Sequence, residues 1–119
     1  MNESNLTKRI MLALPKLVRV FRNHVGVIKD EKGKYHKAGL MPGSADLIGY
    51  AKVKITQDMI GKILPVFTSL EVKTDKGKQH ESQLKWQAGM RKINAIHGVV
   101  RTPDDAEQIV NSWIQEQEK

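Results

Sequence analysis

The chain has no cysteine, which excludes disulfides, cysteine-ligated zinc and thiol nucleophiles. No apolar run approaches the roughly 18 residues that cross a bilayer, so no membrane partner is expected. The opening MNESNLTKRI puts polar residues where the apolar core of a signal peptide would begin. These absences point to a cytoplasmic setting. Internal repeats, low-complexity tracts and linkers long enough to separate a pair of domains are also missing. What is present is ordinary globular composition: 119 residues, 39% hydrophobic and 28% charged. That is enough for one domain over 1–119 with a modest core.

The charge is uneven. Twenty Lys and Arg against thirteen Asp and Glu leave +7. Residues 1–37 carry nine positive and three negative side chains, whereas 103–119 carry one and five. A basic surface of this kind serves either solubility or an anionic partner, most simply nucleic acid.

Periodicity predicts an α/β chain in the order α-β-β-β-α-β-α. Asn2 or Ser4 caps a first helix with Leu6, Ile10 and Leu14 at helical spacing, and Pro15 ends it. Val18 to Ile28 reads as one strand, DEKGK at 30–34 and PGS at 42–44 as turns, and Asp46 to Val53 as a second strand. A third strand, apolar on both faces, is expected over 63–73. A helix follows over 80–96, closed by Gly98, then a strand at 99–102. Pro103 opens the last helix. Met11, Met41, Met59 and Met90 read as core filler, and Trp86 and Trp113 as core or dimer-interface residues.

Three charged residues stand where folding alone favours apolar ones. Asp46 follows PGSA at the start of an apolar strand, and Glu71 and Lys73 close the next one, 25 residues on. Strand residues two apart share a face, so Glu71 and Lys73 project together. Taken singly, Glu-x-Lys is an ordinary solvated ion pair, and an Asp after Gly-Ser is a turn residue. Taken together, convergent carboxylates need compensation, and a divalent cation supplies it. Magnesium suits one or two carboxylates plus phosphate and water. The lack of cysteine and the scatter of His24, His36, His80 and His97 disfavour zinc. Gln83, one turn into the following helix, can reach back over the strand end.

Gly-x-x-Asp opening one strand and Glu-x-Lys closing the next resemble the PD-(D/E)XK nuclease core, with Pro42 and Asp46 at a loosened first motif. PGSADLIGY, QDMIGK, FTSLEVKTDKGK, the helix with Gln83, GVVRTPDDA and FRNHVGV resemble the VRR-NUC family over nearly the whole chain, particularly its small stand-alone phage and bacterial members. The resemblance implies a restriction-endonuclease-like fold with a mixed sheet flanked by helices. It also implies magnesium- or manganese-dependent phosphodiester hydrolysis that leaves a 5′-phosphate and a 3′-hydroxyl. Stand-alone members resemble Holliday-junction resolvases, acting as homodimers on branched DNA, and fused members act on flaps. Carried onto this chain, Asp46 and Glu71 would hold the metal, with the Val72 carbonyl as a further ligand. Lys73 would sit by the attacking water or the phosphate, its neighbours favouring the protonated form and hence an electrostatic role. Gln83 would orient Lys73 or the water. Glu3 would match the acidic residue that opens the first helix, a position where a carboxylate also simply favours a helix N-terminus. Loss of catalytic charge is expected to raise stability slightly.

Candidates for holding DNA follow from charge and position. Lys29, Lys32, Lys34, Tyr35, His36 and Lys37 cluster at the first turn, either gripping a phosphate backbone or forming a solvated hairpin tip. Lys76 and Lys78 flank Gly77 directly after the Glu-x-Lys strand. Arg22 and Asn23 resemble family residues that contact DNA or brace the site. No base-reading helix is evident, so substrate shape is expected to outweigh sequence. Two readings compete with a junction resolvase: a flap or fork nuclease, and a DNA-binding module that keeps the fold without catalysis.

Overall fold

A computed structural model describes residues 2–74 and 76–118 as a mixed α/β chain. The elements are α1 (Glu3–Ala13), β1 (Val18–Arg22), β2 (Gly26–Lys29), β3 (Tyr35–Ala38), β4 (Leu47–Ala51), β5 (Thr68–Val72), α2 (Glu81–Lys92), β6 (Ile96–Val100) and α3 (Pro103–Gln117), with a 3-10 turn at Gln57–Met59. The chain divides into two compact units, one ending at Thr56 and the next beginning at Gln57. No helix among the described residues is long and apolar enough to cross a membrane.

In the first unit, Asn2 caps α1 by accepting the Asn5 N–H at 2.8 Å, and the helix stops just before Pro15. β1 pairs antiparallel with β4, setting Val20 opposite Gly49 and Arg22 opposite Leu47. β2 and β3 form a separate antiparallel hairpin, with Lys29 opposite Tyr35. The single strand expected over 18–28 is therefore two. Between them Asn23 turns inward: its amide donates to Ser44 Oγ and the Ala45 carbonyl, both at 2.8 Å, and its Oδ1 accepts the Leu40 N–H at 2.9 Å. A side chain with four bonding sites can satisfy loop backbone more fully than it could as a ladder residue. Gly39, at φ +75°, makes this possible, because a Cβ there would collide with the His24 carbonyl.

In the second unit, β5 and β6 run parallel, with Ser69 beside His97 and Glu71 beside Val99. α2 lies on the face that carries Ser69 and Glu71, where the Trp86 indole donates to Ser69 Oγ at 2.7 Å. α3 lies on the opposite face, where Gly98 admits the Ile109 side chain. Met90, Ala95, Ile96 and Val100 form the buried apolar core, with Met90 only 3% exposed. Thr102 and Asp105 form a capping box at the start of α3, where Pro103 occupies the first turn.

Several expectations are corrected. Five strands precede α2 where three were expected. The strand expected over 63–73 forms only from Thr68, and Ile63 is 97% exposed. α2 ends at Lys92 rather than 96, because Asn94 adopts φ 59° and turns the chain into β6. Gly98 is thus a strand residue chosen for close helix packing, not a helix terminator. Met41 is 79% exposed and is not core.

Candidate functional site

In the second unit, the alternation of β5 puts Glu71 and Lys73 on one face, and Lys73 Nζ lies 3.4 Å from Glu71 Oε1. Neither group is freely solvated: the Lys73 side chain is 15% exposed and that of Glu71 is 25%. Gln83 reaches back from the first turn of α2, as its position suggested, and donates its amide to Glu71 Oε1. Its own Oε1 accepts the His80 N–H at 2.9 Å, so the helix start fixes the amide's orientation. The amide bonds Glu71 rather than Lys73. Both contacts of the carboxylate fall on the same oxygen and leave Oε2 turned to other uses.

The Val72 carbonyl can be placed from the ladder. Ile96 donates to the Phe67 carbonyl and Lys73 donates to the Val100 carbonyl, each at 3.0 Å. In a parallel pair, alternate residues bond the neighbouring strand. Residues 67 and 73 both face β6, so the peptide groups of Val72 point to the other edge.

In the first unit, Glu3 and Asp46 line one cleft of about 210 Å³ together with Arg22, Asn23 and His24. Asp46 precedes β4, and its carbonyl accepts the Asn23 N–H at 2.8 Å, which ties it to the end of β1. Glu3 stands in the first turn of α1, so it shares the cleft with Asp46 while also favouring the helix N-terminus. Asn23 spends both amide hydrogens on the protein. Those bonds tie down residues 44–45 just ahead of Asp46, and the neighbouring Arg22 is exposed.

The hairpin groups are all exposed. Asp30 organises the turn: its Oδ1 accepts the Lys32 and Lys34 N–H groups at 2.9 and 2.8 Å, and its Oδ2 lies 2.7 Å from His36 Nε2. The His36 contact, then the Lys34 N–H, hold the Asp30 carboxyl below its ordinary range. Lys29 Nζ lies 5.7 Å from the Tyr35 ring centroid, so one face of that ring already carries a cation. Lys32 and Lys34 lie in the turn and Lys37 on β3, while Lys76 and Lys78 extend exposed beyond β5.

A groove of about 960 Å³ runs along β6 past Leu84, His97, Ile109 and Trp113. In its lining Asp105 Oδ2 accepts the Arg101 and Thr102 N–H groups. His97 Nδ1 lies 2.7 Å from Gln87 Oε1, and burial, then the nearby Arg91 charge, lowers its pKa.

Among the described residues no group of three or more His, Asp and Glu side chains is gathered for a metal ion. The donor chemistry nonetheless suits a hard cation such as magnesium: each unit offers carboxylate oxygens, and the chain has no thiolate. Sequence reasoning missed Arg101, whose guanidinium bonds the carbonyls of Thr74 and Gly77. The one available signal was the Thr-Pro-Asp-Asp box that follows it. Comparison with family models, with curated proteins and with solved structures finds no match to this chain.

Proposed function

We propose that this protein is a divalent-metal-dependent endonuclease that hydrolyses phosphodiester bonds in branched DNA, on a restriction-endonuclease-like core. The observation that carries the reading is the Glu71–Lys73–Gln83 group. A carboxylate and an ammonium, both largely shielded from water, are held side by side at the end of β5, with a glutamine amide fixing the carboxylate. A half-buried pair of this kind carries a desolvation cost that an exposed pair on a helix surface avoids, so a stability role alone is a poor account of it. Asp46 and Glu71 are the metal-holding carboxylates, with the Val72 carbonyl as a further ligand and Glu3 beside Asp46.

A bound magnesium or manganese ion supplies polarisation of the phosphate and a more acidic water. The protein's own groups do the rest. Lys73 sets a positive charge where negative charge grows on the phosphate, in a partly water-excluded position that strengthens it. Gln83 holds Glu71 Oε1, so that the carboxylate presents Oε2 in one orientation. Arg22, the hairpin lysines, Lys76 and Lys78 bind phosphates and confer salt-dependent affinity with little sequence preference. Two active sites are needed to cut a symmetric junction, which a C2 homodimer provides.

The test is a cleavage panel of four-way junctions, flaps, forks and linear duplexes with each divalent cation. Magnesium- or manganese-dependent cutting of branched DNA is expected, lost in Asp46→Asn, Glu71→Gln and Lys73→Ala. Calorimetry with manganese checks the metal independently of activity. Asp46→Asn and Glu71→Gln are each expected to weaken manganese binding. Cutting by all three variants at the wild-type rate sinks the reading.

A further inference from the structure

Arg101 follows directly on β6, and its guanidinium does not face solvent alone. Nη1 donates to the Thr74 carbonyl, and Nη2 donates to the Gly77 carbonyl at 2.8 Å. Those two carbonyls bracket the turn that follows β5 and Lys73, which the Gly77 N–H closes onto Thr74 at 3.0 Å. Lys76 and Lys78, the exposed cations beside the charged pair, flank Gly77 on either side.

The arginine is itself anchored. Its N–H donates to Asp105 Oδ2 at 2.9 Å, an oxygen that also accepts the Thr102 N–H at 3.2 Å, while Thr102 Oγ1 accepts the Asp105 N–H at 3.1 Å. One residue earlier, the Val100 carbonyl accepts the Lys73 N–H. Rigid elements therefore hold both ends of the clasp: the α3 cap on one side and the β5–β6 ladder on the other.

We propose that Arg101 is a positioning residue for DNA binding, whose guanidinium clasps the turn after β5 so that Lys76 and Lys78 meet phosphates without Arg101 touching DNA itself. The proposal rests on the nuclease reading above. An exposed clasp of this kind adds little to overall stability, and its effect is to remove freedom from the turn before DNA arrives. Only a planar fork reaches two carbonyls at once, so lysine is a poor substitute. A plain count of basic residues would instead have made Arg101 one more phosphate contact.

The two roles separate in a double-mutant cycle. The probe is a labelled synthetic four-way DNA junction titrated by anisotropy in EDTA at fixed salt. Arg101→Gln is expected to weaken binding by roughly three- to tenfold, about as much as the Lys76→Ala/Lys78→Ala pair. The triple variant should bind no more weakly than the pair, and Arg101→Lys should recover only part of the loss. In magnesium-dependent cleavage KM should rise while kcat holds. Hydrogen exchange of the Gly77 amide should quicken in Arg101→Gln with little change in the thermal midpoint. Losses that multiply in the triple variant, or wild-type binding by Arg101→Gln, overturn the proposal. An unsubstituted chain that binds no junction overturns the DNA reading, whereas unchanged Gly77 exchange in Arg101→Gln overturns the clasp alone.

Discussion

Gln83 and Lys73 converge on a single oxygen of Glu71: the glutamine amide donates to Oε1, and the lysine Nζ lies 3.4 Å from the same atom. Truncating Gln83 to Ala strips that oxygen of its neutral donor and frees the His80 N–H at the helix start. The expected cost is about 1.5–3 kcal/mol in urea unfolding, the range for a hydrogen bond to a charged group. Junction cleavage should fall further than stability alone explains. An unfolding midpoint equal to wild type would show that the amide bond contributes nothing.

The same geometry reverses an expectation about charge removal. Sequence reasoning anticipated that neutralising a catalytic carboxylate relieves repulsion and stabilises the fold. Glu71 instead has an ammonium partner that is itself largely shielded from water. Glu71→Gln should therefore destabilise by about 1 kcal/mol or more, because it leaves that cation uncompensated. Asp46→Asn, at an exposed position, should be neutral within about 0.5 kcal/mol. Equal effects of the two substitutions in thermal unfolding would contradict this contrast.

Asn23 joins three separate points of the segment 40–45 to the end of β1. Asn23→Ala should cost about 2–3 kcal/mol, since its partners lose a donor or acceptor in a part-buried place. Asn23→Asp should recover the Leu40 bond but not the two donated ones. The fractions unfolded in urea, compared across the three proteins, decide this.

His97 gives the fold a pH dependence. Its pKa in the folded chain is lowered, first by burial and then by Arg91, below the ordinary value of about 6.5. Below that value the unfolded chain takes up more protons than the folded one. The stabilisation from neutral His97 is thus present above about pH 6.5 and is lost as pH falls towards and through the folded value. His97→Asn should flatten the stability profile between about pH 5 and 7. A profile that keeps its slope in that variant assigns the dependence elsewhere.

Much of the helical structure was legible because its signals are local. Asn2, Pro15 and Pro103 act within one turn of the residues they cap or break. Glu71, Lys73 and Gln83 were legible because strand alternation and a helix start place them without knowledge of the rest. What could not be read depended on partners distant in sequence. Asn23 ends a strand because Leu40, Ser44 and Ala45 receive it, and Gly98 belongs to a strand because Ile109 packs against it. Arg101 was invisible as a clasp because its acceptors are backbone carbonyls more than twenty residues away, which no side-chain pattern announces.

The β2–β3 ribbon keeps every residue but Ala38 largely in water. Two strands alone are marginally stable, so this ribbon should breathe at an energy well below that of global unfolding. Its lysines thus sit on a spring, able to follow a bent backbone at small cost, while Glu71 sits on a strand laddered to β6 and held by the Gln83 amide.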